Sequence, residues 1–135
     1  MLRHKFTLAL NEKLDPNVLK RATVIAASRL IRVAGNNDLQ NMQFLTFEDA
    51  DGAKHEGISA LSLVVMKGKS GELRKFREAA ADGATRSSVI MREDLLKVSG
   101  VEASAIPPEQ EWVAVLAFGE IPALNAAAKK LSVWR

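Results

Sequence analysis

The sequence contains no cysteine. That excludes disulfides, thiol nucleophiles and cysteine-held metals, and it reads as a cytoplasmic protein. Histidine is almost as scarce, with only His4 and His55 in 135 residues. A hydrolytic triad or a zinc site sets a histidine beside further specific groups. A Gly-x-Ser-x-Gly nucleophile elbow is also missing. No metal or cofactor is expected. No apolar run approaches the roughly 18 to 20 residues of a membrane span, so no membrane partner is expected. The apolar stretch at 6–10, behind a basic start, is shorter than the about 7 to 15 residues of a signal-peptide core. Repeats, low-complexity segments and linkers are lacking, which predicts a single domain over 1–135. The net charge of +3 is too small to argue nucleic-acid binding without clustering.

What is present is enough apolar material, 47% of the chain, for a substantial core. Residues 6–10 read as a buried strand. Asp15 is a good N-cap and Pro16 suits the first helical position, where a missing N–H costs nothing. Leu19, Ala22, Ala26, Leu30 and Val33 then recur at spacings of three and four, one face of a helix that Gly35-Asn36-Asn37 stops. Strand-favouring residues at 44–47 and the turn pair Asp51-Gly52 predict a hairpin. Further strands are expected at 61–66, 87–91 and 112–118. Ser70 is expected to cap a helix with Leu73, Phe76, Ala79 and Ala80 on one side, ended by Asp82-Gly83. A short helical stretch is expected at 93–98. A last helix should run from Pro122 to about Lys130, followed by an extended return at 131–134. This order predicts an α/β domain, a mixed sheet with helices on both faces. The first two main strands should be parallel, with a right-handed crossover.

Two short motifs fail on chemistry. Lys67-Gly68-Lys69-Ser70 lies between a strand and a helix, as a P-loop does, but the position of the motif's first glycine is Leu63. Asp49-Ala50-Asp51-Gly52 resembles part of a calcium loop, but Phe47 falls where the first oxygen ligand is required. A basic run is more informative: Lys67, Lys69, Arg74, Lys75 and Arg77. Parallel strands bring their carboxyl ends to one edge, where α/β sheets bind ligands. Helix N-termini there favour anions. The expected site is a crevice for a small anionic ligand, formed by Asn11, Lys13, Lys20, Lys67, Lys69 and Ser70.

"LALNEKL" with the helix after it, "EDADGAKHEGI", "ADGATRSSVIM" and "LAFGEIPALNAAAKKLSV" together resemble the peptidyl-tRNA hydrolase type II fold. They are closer still to a bacterial branch of it known only as a domain of unknown function. The resemblance implies a three-layer α/β/α sandwich with a four-stranded mixed sheet. It also implies an alternative function, a hydrolase acting on peptidyl-tRNA or a related ester, with tRNA as partner. That family keeps a lysine early in its first helix, near the substrate. Spacing from Lys13-Leu14 makes Lys20 the matching position. Lys20 would orient or activate the attacking water, with Glu93 or Asp94 as partner. Where the family has an aspartate before that leucine, this chain has Lys13. Where it has Asp-Ala-Gly-x-Thr, this chain has Ile90-Met91-Arg92-Glu93-Asp94. These departures predict no peptidyl-tRNA turnover, and the first expectation is a binding protein on this fold that self-associates as a homo-oligomer.

Overall fold

The structure is a computed structural model that describes residues 2–81 and 85–135. The chain opens with β1 (His4–Asn11) and α1 (Pro16–Val33), followed by a short α2 (Asn36–Asn41). A hairpin of β2 (Phe44–Glu48) and β3 (Lys54–Ser59) comes next, then β4 (Leu63–Gly68) and α3 (Ser70–Ala80). The second half holds β5 (Arg86–Met91), α4 (Arg92–Leu95), β6 (Trp112–Glu120), α5 (Ile121–Ala127) and β7 (Ser132–Val133). No helix among the described residues is long and apolar enough to cross a membrane.

The main sheet has five strands in the order β5-β6-β1-β4-β7, one more than the four expected from sequence. The fifth is the extended return after α5, which pairs with β4 only at Met66↔Val133 and Lys67↔Ser132. Two paired residues are too short a run to be read as a strand from periodicity. β1 is parallel to β4, as the intervening helix predicted, and antiparallel to β6. The sheet is therefore mixed.

Alternation along the central strands feeds two cores. Leu8 and Leu10 of β1, with Leu116 and Phe118 of β6, pack with Leu19, Ala22, Ala26 and Leu30 of α1. Ala9, Val115 and Ala117 point the other way, to Leu73 and Phe76 of α3 and Leu124 of α5. Both faces of β1 and β6 are thus covered, which is why these strands are nearly continuous apolar runs.

Several local expectations needed correction. Val33 continues the spacing of the α1 face but is 59% exposed, and its neighbours Ile31 and Arg32 in the last turn are exposed too. Ala79 is likewise exposed. Gly35 does follow the end of α1, yet Asn36 and Asn37 start α2 rather than a loop. Ser70 is not the cap of α3: the N-cap is Lys69, whose amide donates to Glu72 Oε1 at 2.8 Å. The Ser70 hydroxyl instead accepts from the Trp112 amide at 3.0 Å, tying α3 to β6. The expected stop at Asp82-Gly83 lies outside the described residues. β4 starts two residues later than expected and runs through Gly68, and β6 extends to Glu120.

Candidate functional site

The link after β1 is a tight, internally satisfied turn. Asn11 is fully buried, and its amide is spent within the protein. Nδ2 donates to Gln110 Oε1 at 2.9 Å and to the Trp112 carbonyl at 2.8 Å. Oδ1 accepts from the Lys13 amide at 2.9 Å. The Glu12 amide reaches the Gly68 carbonyl at 2.9 Å, and the Leu14 amide returns to the Asn11 carbonyl at 3.2 Å. These bonds clip the end of β1 to the neighbouring strands and aim Lys13 outward. The next residue to matter is Asp15, whose carboxylate accepts from the Asn17 amide at 2.7 Å and caps α1 as its sequence predicted.

Past this turn a cleft of about 720 Å³ opens on the α1 side of the sheet. Lys13, Asp15, Val18 and Arg21 form one wall, and Val101, Glu102 and Ser104 belong to the other. The second wall is the loop that leads into β6. Because β6 is antiparallel to β1, the start of β6 must lie at the carboxyl end of β1, and so must the loop before it. Arg21 braces that loop by donating to the Ser99 carbonyl. Beside it, Gly100 has φ +85°, and a Cβ there would meet the guanidinium at 3.0 Å. The left-handed backbone favours glycine at Gly100, and a side chain there would have to push the flexible Arg21 tip aside by a few tenths of an ångström.

The cleft brings together only part of the residue set expected from sequence. Lys13 lines it. Asn11 lies beneath the turn. Lys67, Lys69 and Ser70 belong to β4 and the start of α3, and none of them is among the residues lining the cleft. The Glu12 amide donates to the Gly68 carbonyl and the Trp112 amide to the Ser70 hydroxyl, which ties the end of β1 and the start of β6 to the β4–α3 junction. Lys20 turns away from the cleft into a shallow groove with Arg21, Val24, Ile25 and Val98.

The two carboxylates named as partners for Lys20 are elsewhere. Asp94 is gripped bidentately by Arg29, at 2.8 and 3.1 Å, and accepts from the Met91 amide at 2.8 Å. The Arg29 bonds, aided by the Met91 amide and opposed by burial, hold the Asp94 carboxyl below its usual range. Arg29 is raised in turn, chiefly by the same hydrogen bonding. Lys20 is nine residues before Arg29 on α1, or about 13 Å along the helix axis. Glu93 is exposed beside Asp94. Lys20 and this acidic pair therefore form no common centre. Among the described residues, no three histidine or carboxylate side chains gather in a way that could hold a metal ion.

Sequence reasoning missed Arg21 and the 100–107 loop. Only the position of β6 beside β1 shows where the loop carrying Pro107 and Pro108 goes.

Residues 4–135 match the model of a family described as "Protein of unknown function (DUF2000)". No curated protein matches the chain. Among solved structures, the chain is similar to a protein of unknown function from Agrobacterium tumefaciens strain C58. That likeness has 15% identity and a TM-score of 0.76 over 100% of both chains. At that identity the likeness speaks to the fold alone.

Proposed function

The chain belongs to the DUF2000 family, and from its geometry we propose that it is a binding protein for a small ligand bearing an anionic group. The observation that carries this reading is the cleft of about 720 Å³ between α1 and the 100–107 loop. Small-molecule sites run from about 300 to 1,000 Å³ and combine apolar walls with a few polar groups. Leu14, Val18, Val101 and Pro107 supply the apolar wall. Lys13 and Arg21 supply cations for a carboxylate or phosphate. Arg21 already donates to Ser99, so Lys13 is the freer of the two.

Asp15 and Glu102 line the same cleft and refine the ligand class. A multiply charged anion would meet two carboxylates as well as two cations. A small ligand with one acidic group and one amino or amide donor satisfies both signs, as an amino acid or short peptide does. The architecture is assigned, as part of the same proposal, to the peptidyl-tRNA hydrolase type II fold, without its chemistry. Support comes from a sheet with helices on both faces and from the pairing of Asp94 with Arg29 rather than with Lys20.

The test is a thermal-shift screen with phosphate, simple carboxylates, nucleotides, amino acids and dipeptides. A ligand that binds only the native state raises the midpoint. The expected outcome is stabilisation by amphoteric carboxylates that falls with salt and disappears in Lys13→Ala. A shift that survives Lys13→Ala, or none across the panel, overturns the proposal.

A further inference from the structure

The β2–β3 hairpin stands apart from the main sheet as a two-stranded sheet of its own. Of its eleven strand residues, all but Ser59 are exposed. Its two faces nevertheless differ. Leu45 pairs with Ile58 and Phe47 with His55, and residues two apart on a strand share a face. Leu45, Phe47, Ile58 and His55 therefore form one surface, apolar except at the imidazole. Phe44, Thr46, Glu48, Lys54, Glu56 and Ser59 form the other, which is polar except at Phe44. The sorting depends on an irregularity: pairing shifts between Leu45 and Thr46, leaving Gly57 as the extra residue with φ +80°. Without that bulge, Glu56 would oppose Phe47. With it, the His55 ring stacks on Phe47, centroids 4.8 Å apart, and His55 Nε2 contacts Asp49 Oδ2 at 2.8 Å.

A hairpin exposed all round gains nothing from segregating its side chains, and an isolated hairpin is marginal in water. Leu45, Phe47 and Ile58 remain 50%, 47% and 48% exposed, so this face is built but uncovered. Charge indicates what covers it. Residues 44–59 carry four carboxylates (Glu48, Asp49, Asp51, Glu56) against one lysine, Lys54. The hairpin is thus −3 in a chain of net +3, and the remainder is +6. Two hairpins set face to face would repel. The groove on α1 is the complementary surface: Val24, Ile25 and Val98 line it, and Lys20 and Arg21 flank it. Val24, at 70%, is the most exposed large apolar side chain among the described residues.

We propose that this surface is a self-association site, in which the hairpin of one copy lies in the Val24–Val98 groove of a second copy and receives that copy's hairpin in return. A two-fold axis makes each contact twice and closes the assembly. Strands of this length span about 17 to 20 Å and sit about 4.8 Å apart, so one hairpin face covers roughly 200 Å². One arm given and one received come to roughly 400 Å² per copy, about half of the ~800 Å² in a standard stable interface. The dimer is therefore concentration-dependent rather than permanent.

The test is sedimentation velocity of the full chain across a concentration series. Wild-type protein should move from monomer to dimer as concentration rises, with weaker association at high salt. Phe47→Asp and Val24→Asp should each weaken dimerisation at least about tenfold, about 1.4 kcal/mol. Lys20→Glu should weaken it as well. All three positions are exposed, and circular dichroism should show an unchanged fold in each variant. A monomer at every concentration overturns the proposal. So does a dimer that Phe47→Asp breaks but Val24→Asp leaves intact, since the hairpin would then be covered by something other than the groove.

Discussion

β1 and β6 lie in the middle of the five-stranded sheet, and from Thr7 to Asn11 every residue of β1 is buried. β2 has three large apolar residues in five, Phe44, Leu45 and Phe47, and all five are exposed. The contrast teaches that burial belongs to a strand's neighbours, not to its composition. β1 has a strand on each side and a helix layer over each face. The hairpin has only itself. Stability should therefore be concentrated in the sheet, and sensitivity to partners in the hairpin.

The largest test of this contrast sets Phe118 against Phe47. Phe118 is 1% exposed, its ring 5.3 Å from His4 and 5.4 Å from Phe6. Phe118→Ala should cost about 3 to 5 kcal/mol, the usual range for a buried phenylalanine. Phe47→Ala, measured below the concentration at which copies associate, should cost under about 1 kcal/mol. Urea unfolding followed by circular dichroism measures both. Similar losses would erase the distinction between the two regions.

A middle-sized effect concerns Asp94, which ties α4 to α1 through Arg29. Its carboxyl is held below the ordinary value, about 3.9 for a free aspartate. A depressed native value means that the stabilisation is fully present above the unfolded-state pKa. It is lost as pH falls through the lower native pKa. Asp94→Asn should cost about 1 kcal/mol near neutrality, since the pair is partly solvent-screened. Wild type and variant should converge in stability as the pH falls through the acid range. Parallel pH profiles that never converge would show that the ion pair contributes nothing.

The smallest expected change lies at the centre of the sheet. Thr7 is 1% exposed, and its hydroxyl has no hydrogen-bond partner among the described residues. Thr7→Val removes that group at nearly constant shape, so stability should be unchanged or rise by up to about 1 kcal/mol. A clear loss would mean that the hydroxyl is satisfied in solution.

Local signals were read well where the physics is local. Asp15 and Pro16 fixed the start of α1, since an N-cap and a proline at N1 act within one turn. Asp51-Gly52 fixed the hairpin tip, where Asp49 Oδ1 accepts from the Asp51 and Ala53 amides. Lys13 was legible as a cleft residue because it follows directly from the end of β1. Lys67 and Lys69 were placed in the same crevice from strand order alone, and they do not line the cleft that holds Lys13. Arg21 and Glu102 had no local mark at all.

The sequence by itself determined where most of the long helices and strands form, that β1 and β4 run parallel, and that helices cover both faces of the sheet, but not the short α2 or β7. Tertiary structure alone decided that β6 inserts beside β1. That pairing joins residues more than 100 positions apart, such as Leu8 and Leu116. It swings the 100–107 loop over the start of α1 to make the cleft, while the hairpin forms a separate two-stranded sheet whose apolar face is exposed. Such choices rest on competition among long-range pairings, whose loop-closure cost and shared burial no short window of sequence contains.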